Sequence, residues 1–254
     1  MTAWINHTQS LLDLDLAPGA RIGLDTEFMR TDSFAPKLAL IQIETAGKVA
    51  LIDPLADIEL SSLAHCLGSA DTLSIMHSAS EDLDALAPIL PAGLGALFDT
   101  QIAAAFCGLG AGLGYQKLVV ELCAVELPKG ETRSDWLRRP LSESQLDYAS
   151  QDVVHLPVLH AELSARLAQR GYGAWHAEDC ARMLERARQR EPDPQPQTAY
   201  RGAADWTREQ QALLRRVLLR LLDDLRCRAE RRRAVRQRLI AGAHRLVALA
   251  GRDR

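Results

Sequence analysis

Hydrophobic positions in the first third of the chain follow the pattern of short strands. Residues 21–26, 38–43 and 49–52 each predict one, and Thr45-Ala46-Gly47-Lys48 supplies a hairpin turn between the last two. The pattern then alternates. A helix is predicted over 58–67, a short strand over 72–76, a helix over 80–90, and helical periodicity over 99–107, 115–124 and 142–169. Strands first, with helices interleaved afterwards, describe an α/β domain built on a mixed sheet flanked by helices.

Near the C-terminus the period changes again. Leu214, Val217, Leu218, Leu221, Leu222 and Leu225 form a helical stripe, with Arg215, Arg216, Arg220, Arg226 and Arg228 lying off it. Between this stripe and the α/β pattern, Pro192, Pro194 and Pro196 recur at every second position, which favours extended chain and disfavours helix. The predicted organisation is a first domain at 1–190, a Pro-rich linker at 191–198, and a small all-α basic region at 199–254.

Charge sharpens that division. Up to residue 198 there are 27 acidic and 15 basic residues, and after it 15 basic and 6 acidic. An acidic body thus carries a basic module, and Arg231-Arg232-Arg233 within it suits either phosphate contact or a solvated face. At 254 residues, 47% hydrophobic and 25% charged, the composition is that of a chain able to bury a core. The sequence contains no long apolar run that would span a membrane and no basic-then-apolar leader at its start, so the expectation is a cytoplasmic protein with no membrane role. No obligate protein partner is inferred, and whether residues 199–254 pack on the first domain or pair with another chain is open. The five cysteines (Cys66, Cys107, Cys123, Cys180 and Cys227) are scattered without a C-x-x-C pair, which disfavours disulfides and structural zinc. His155 and His160 stand five apart, a spacing that does not share a helix face and favours packing over metal ligation.

The chemistry lies in the acids. Asp25 and Glu27 sit two apart at the end of a predicted strand, so both carboxylates leave the same face. Such a pair repels unless it is solvated or neutralised by a cation, and hard oxygen donors select Mg²⁺ or Mn²⁺. Tyr148 and Asp152 are four apart in a predicted helix and share a face. Asp82 lies at the start of another helix, directly after a strand, where helix capping would also explain it.

Together these segments resemble ribonuclease D. Leu24-Asp25-Thr26-Glu27-Phe28-Met29-Arg30 is similar to the first exonuclease motif of that family and His77-Ser78-Ala79-Ser80-Glu81-Asp82-Leu83 to the second. Tyr148-Ala149-Ser150-Gln151-Asp152-Val153 matches the third, with the Y-x-x-x-D spacing of the tyrosine branch of the DEDD 3′–5′ exonucleases. Intervening stretches agree as well, among them Phe98-Asp99-Thr100-Gln101 and Arg133-Ser134-Asp135-Trp136-Leu137-Arg138-Arg139-Pro140. The resemblance implies a ribonuclease-H-like fold for the first domain and a 3′–5′ exoribonuclease trimming single-stranded RNA 3′ ends, such as tRNA precursors. It also implies two divalent cations held by Asp25, Glu27, Asp82 and Asp152. Asp25 would be shared between the ions, Glu27 and Asp152 would complete the site of the nucleophilic water, and Asp82 would act through water. Tyr148 would orient the water or the scissile phosphate, since a phenol with a pKa near 10 is a poor base at neutral pH.

Several side chains are candidate substrate contacts under this reading. Phe28 and Met29 follow the acids and suit either stacking on terminal bases or core packing. His77 and Gln42 suit sugar or phosphate contacts, or satisfied burial. Lys129, Arg133 and Arg138 suit phosphate contact or a solvated surface. Residues 206–238 look like the opening of a helicase-and-RNaseD C-terminal (HRDC) domain, in a region shorter than the two such domains of a full ribonuclease D. A DNA exonuclease of the same fold and a non-catalytic nucleic-acid-binding scaffold are the competing readings.

Overall fold

The computed structural model describes residues 2–14, 16–30, 36–128, 130–131 and 134–189, with positions 207, 208, 211, 212 and 216 further on. The chain divides into two units, Met1–Gln189 and Arg190–Arg254. The linker and nearly all of the basic helical region expected at 191–254 lie outside the described residues, as does Cys227.

The first unit is a six-stranded sheet with helices on both faces. In chain order its elements are β1 (Thr2–Ile5), α1 (Thr8–Leu12), β2 (Arg21–Met29), β3 (Lys37–Thr45), β4 (Lys48–Ile52), α2 (Ser61–Gly68), β5 (Leu73–Met76), α3 (Ser80–Leu86), β6 (Ala96–Asp99), α4 (Thr100–Phe106), α5 (Tyr115–Cys123), α6 (Glu143–Val154), α7 (Leu156–Arg170) and α8 (Gly173–Gln189). The strand order is β1-β4-β3-β2-β5-β6. β2, β3 and β4 form an antiparallel meander, while β1 joins β4, and β5 joins β2 and β6, in parallel. This is the mixed sheet that the sequence pattern predicts.

Side-chain alternation sends β-strand residues to two cores. Ile22, Leu24, Ile41, Ile43 and Ile52 pack with Leu63 and Leu67 of α2, Leu83 and Leu86 of α3, and Cys180 and Leu184 of α8. On the opposite face Leu40, Leu51, Ile75 and Phe98 pack with Ala103, Leu118, Ala149, Val153, Leu159 and Leu163 from α4 to α7. The period-2 strand pattern puts consecutive residues of β2 and β3 into different cores, and this fixes their register, because a one-residue slip would exchange the two sets.

Three departures from the predicted elements have local causes. The long helical pattern over 142–169 is two helices. α6 begins on a capping box, with Ser142 Oγ accepting from Gln145 N–H (3.2 Å) and Gln145 Oε1 accepting from Ser142 N–H (3.0 Å), and it ends where Pro157, lacking an N–H, opens α7. Asp99 is a strand end as well as a helix start, and the four residues of β6 are too few to show a period. β1, α1 and α8 have no counterpart in the predicted elements. α8 buries only His176, Cys180 and Leu184, a stripe sparser than the pattern a helix prediction relies on.

Two contacts position α6, the helix that carries Tyr148 and Asp152. Gly23 on β2 lies beneath its C-terminal end, where an added Cβ would stand 3.3 Å from Val153 O, Leu156 Cβ and Glu44 Cβ. A glycine here lets the helix approach the strand closely. The segment before α6 is fastened by Arg139, whose guanidinium forks the Asp53 carboxylate at 2.8 and 2.7 Å, donates to Ala39 O and Trp136 O, and lies 5.7 Å from the Trp4 ring centroid. This bidentate geometry is open to arginine and not to lysine. Among the described residues the cysteines are free thiols, with Cys66, Cys107 and Cys180 buried. No described helix is long and apolar enough to cross a membrane.

Candidate active site

β2 extends to Met29, so Asp25 and Glu27 lie inside the strand rather than at its end, and both project toward α6. A register shift between Glu27 and Phe28 ends the regular pairing with β3 directly after the two acids. Bulges of this kind re-aim side chains next to sites. Asp152, one helical turn after Tyr148 on α6, completes the group: carboxylate oxygens of Asp25, Glu27 and Asp152 lie within 4.8 Å of one another. Residues more than a hundred positions apart thus meet at one point.

Asp82 reaches the site from the opposite layer. It is buried in the first turn of α3, and its Oδ1 accepts a hydrogen bond from Thr26 Oγ1 at 2.6 Å. Thr26 lies between the two strand acids and faces the other way, so the strand holds Asp25 and Glu27 toward α6 and Asp82 toward α3. Asp82 is outside the three-carboxylate group, yet its charge bears on all three members.

Crowding and burial raise the proton affinity of every acid here. Burial, followed by the charges of Asp82, Asp152 and Glu27, pushes the Asp25 carboxyl well above the usual range. Burial, with repulsion from Asp152 and Asp82, takes Glu27 to about 9. Burial takes Asp152 to about 7 against the opposing effect of the Tyr148 hydroxyl, which donates to it, and takes Asp82 to about 6 against the hydrogen bond from Thr26. A set of oxygen donors that repel one another and resist ionisation fits a hard divalent cation, which would neutralise them.

Tyr148 is kept protonated. Burial, then the charges of Asp152, Glu27 and Asp25, raise its phenol further above the ordinary value, and its ring leans on that of buried Trp136 at a centroid distance of 6.1 Å. A protonated phenol can donate a hydrogen bond and is a poor base at neutral pH.

The other expected contacts separate. Phe28 and Met29 are half-buried beside the acids, with the Arg30 guanidinium 5.9 Å from the Phe28 ring centroid and Met29 packed partly into the α6-side core. His77 is half-buried, its Nδ1 2.9 Å from Thr100 Oγ1 and its ring edge-on to Tyr115 at 5.6 Å; burial lowers its pKa. Arg138 is exposed. Arg133 and Lys129 lie outside the described residues. Gln42 has no exposed surface, which agrees with burial and leaves no open face for a substrate contact, but its amide lacks the hydrogen-bond partners that satisfied burial would give it.

Two residues at the site escape the sequence reading. Tyr115, at the N-terminal end of α5, donates from its hydroxyl to Gln151 O at 2.9 Å and feels the charges of Asp152 and Asp25. Asp99 ties the loop before α3 to the start of α4. Tyr115 carries no local signal, since an aromatic at a helix start is common, whereas Asp99 lies in a stretch that resembles the family but without a role that the sequence assigns.

A pH dependence follows from these shifts. Each of the four carboxyls binds its proton more tightly in the folded chain than in the unfolded one, where carboxyls titrate near pH 4. Their contribution to metal-free stability is therefore fully present below about pH 4 and is lost as pH rises through about 6, 7 and 9 for Asp82, Asp152 and Glu27. Cation binding must displace the same protons, so stabilisation by Mn²⁺ should grow steadily from acid to alkaline pH. Thermal melts with and without Mn²⁺ across that range measure this; a metal-induced shift independent of pH would contradict the crowded carboxyls.

A mixed sheet between helical layers, with acids from its central strand meeting an acid and a tyrosine from a later helix, defines a nuclease-type catalytic domain of the ribonuclease-H-like class. A family profile described as 3′–5′ exonuclease matches residues 4–168, and the chain belongs to that family. It is 46% identical over 207 residues to ribonuclease D of Xanthomonas oryzae pv. oryzae, covering 80% of this chain and 56% of that protein. The chain therefore spans little more than half the length of that relative. The crystal structure of Escherichia coli RNase D, described as an exoribonuclease involved in structured RNA processing, superposes with a TM-score of 0.74 at 35% identity, over 92% of this chain and 61% of that one. Brucella melitensis NrnC bound to pGG superposes with a TM-score of 0.65 at 25% identity, over 76% of this chain and 97% of that one.

Proposed function

We propose that this chain is a 3′–5′ exoribonuclease that hydrolyses single-stranded RNA from its 3′ end with the aid of two divalent cations, Mg²⁺ or Mn²⁺, releasing nucleoside 5′-monophosphates, with tRNA precursors as the substrate class. The observation that carries this reading is the meeting of Asp25, Glu27 and Asp152 within 4.8 Å. A mutually repelling cluster with raised pKa values is costly to keep in a scaffold that has no use for a cation, which counts against the non-catalytic reading.

Asp25, Glu27 and Asp152 would hold the cations directly, with Asp25 shared, and Asp82 would support one of them through water. Bound there, divalent cations supply positive charge beside the scissile phosphate and make water a better nucleophile at neutral pH. Thr26 fixes the Asp82 carboxylate through its hydroxyl. Tyr148 holds its proton, donates to Asp152 and presents its phenol where water or a phosphate oxygen would be oriented. Phe28 and Met29, half-buried at the end of the acid-bearing strand, provide a surface for the terminal bases.

The test is a time course on 5′-labelled single-stranded RNA, with the matched DNA alongside. In Mg²⁺ or Mn²⁺ the RNA should shorten one nucleotide at a time from the 3′ end, and chelator should stop it. Faster shortening of the DNA would transfer the assignment to a DNA exonuclease, and RNA that is bound yet unchanged would overturn the catalytic reading.

A further inference from the structure

Among the described residues Ser74 Oγ, His77 Nε2, Trp136 Nε1 and His155 Nε2 are buried without a hydrogen-bond partner, and Gln42 has both of its side-chain polar atoms in that state. Its side chain lies in the centre of β3 with no exposed surface, and neither its carbonyl oxygen nor its amide nitrogen has a hydrogen-bond partner. Buried amides are nearly always bonded, and one that is not calls for a physical reason. Its surroundings narrow that reason. Antiparallel register sets Gln42 opposite Leu51 on β4 and opposite Asp25 on β2, and α6 lies across these three strands with Ala149 and Val153 in the core beneath it. Of its two cross-strand neighbours one is apolar and the other is the central acid of the site. Directly opposed residues have Cβ atoms about 4.5–5.5 Å apart, within reach of a glutamine side chain.

Resting on the cation-dependent reading above, we propose that Gln42 is a positioning residue for Asp25: its carboxamide donates to the Asp25 carboxylate in the metal-loaded protein and fixes how that carboxylate faces the cation. In the metal-free chain the amide is a donor without an acceptor, tolerated because the loaded state uses it. Groups that hold a ligating carboxylate in place contribute to cation affinity without touching the cation. The sequence offers Gln42 either as a substrate contact or as a buried, hydrogen-bonded group; its complete burial without a partner and its register opposite Asp25 point to this third role.

The experiment uses the full chain with Gln42→Met and Gln42→Leu, two apolar replacements of different shape, beside wild type and Asp25→Asn. Metal-free melting temperature, Mn²⁺ affinity by titration calorimetry, and kcat and KM on labelled RNA are measured for each. The two Gln42 variants should melt at or above wild type without metal, because an unpartnered amide has been removed. They should bind Mn²⁺ about 10-fold or more weakly and lose kcat at fixed Mn²⁺ with KM little changed. Wild-type Mn²⁺ affinity and kcat in both variants would overturn the proposal and leave Gln42 a packing residue. A lowered metal-free melting temperature in both would also overturn it, by showing that the amide already serves the resting fold. Failure of the underlying site reading is distinguishable, since wild type itself would then bind no Mn²⁺ and Asp25→Asn would change nothing.

Discussion

Asp25→Asn should leave the chain folded and remove both RNA hydrolysis and stabilisation by Mn²⁺. Asparagine has the same shape but carries no charge, and it stands where Glu27 and Asp152 converge. Loss of one fixed electrostatic group in an active site costs on the order of 10²–10³ in rate, and loss of the central acid should reach at least the upper end of that range. The metal-free protein should show the opposite sign. Burial and three neighbouring charges disfavour a carboxylate at position 25, so the amide relieves repulsion, and the melting temperature should hold or rise. In wild type, Mn²⁺ well above its dissociation constant should raise the melting temperature by mass action, and in Asp25→Asn that response should vanish. Melts and labelled-RNA time courses on the same preparations read both effects. Retained Mn²⁺ stabilisation in the variant would move the cation away from this cluster.

Asp99→Ala should be the most destabilising single change near the site. The Asp99 carboxylate is fully buried and accepts four backbone N–H groups, from Ser78 (3.3 Å), Ala79 (2.9 Å), Gln101 (2.8 Å) and Ile102 (3.1 Å). Two of these begin α4. The other two shape the turn into α3, where Ser78 adopts a left-handed backbone with φ of 59°. Truncation removes a helix cap and leaves further buried donors unpaired, for a loss of roughly 3–5 kcal/mol. Asp99→Asn should cost less but still measurably, because its NH₂ would face a backbone donor in place of one of the two oxygens. Urea unfolding reads the loss. Under conditions where the variant remains folded, activity should fall too, since the loosened turn is the one that delivers Asp82. A midpoint within error of wild type for Asp99→Ala would sink this account.

The first and third exonuclease motifs were legible for a physical reason, while Asp82 in the second, which helix capping explains equally well, stood out only through the family resemblance. Strand geometry sends Asp25 and Glu27 to one side, and a four-residue helical step aligns Tyr148 with Asp152, so each half of the site is a local pattern of residue type and spacing. The meander β2–β3–β4 was legible on the same grounds, through its strand runs and its turn at Ala46 and Gly47. Other elements were hidden because their signal is not local. β1 is four residues long and gains its partner only by lying parallel to β4, while β6 is as short and runs directly into a helix whose composition dominates the pattern. The break between α6 and α7 was masked by apolar periodicity that continues through Pro157.

By itself the sequence determined the chemistry available to this protein: which acids it has, which pairs share a face, that a phenol accompanies them, and which family it resembles. Only the tertiary structure decided where those groups lie relative to one another. It brought Asp152 onto the strand acids through the close approach at Gly23, held Asp82 on the far side of β2 through Thr26, used Asp99 to shape the turn before α3, and sealed Gln42 beneath α6 beside Asp25. Spacing along a chain sets direction within one strand or helix, whereas distance, burial and the proton affinities they raise depend on which elements pack together.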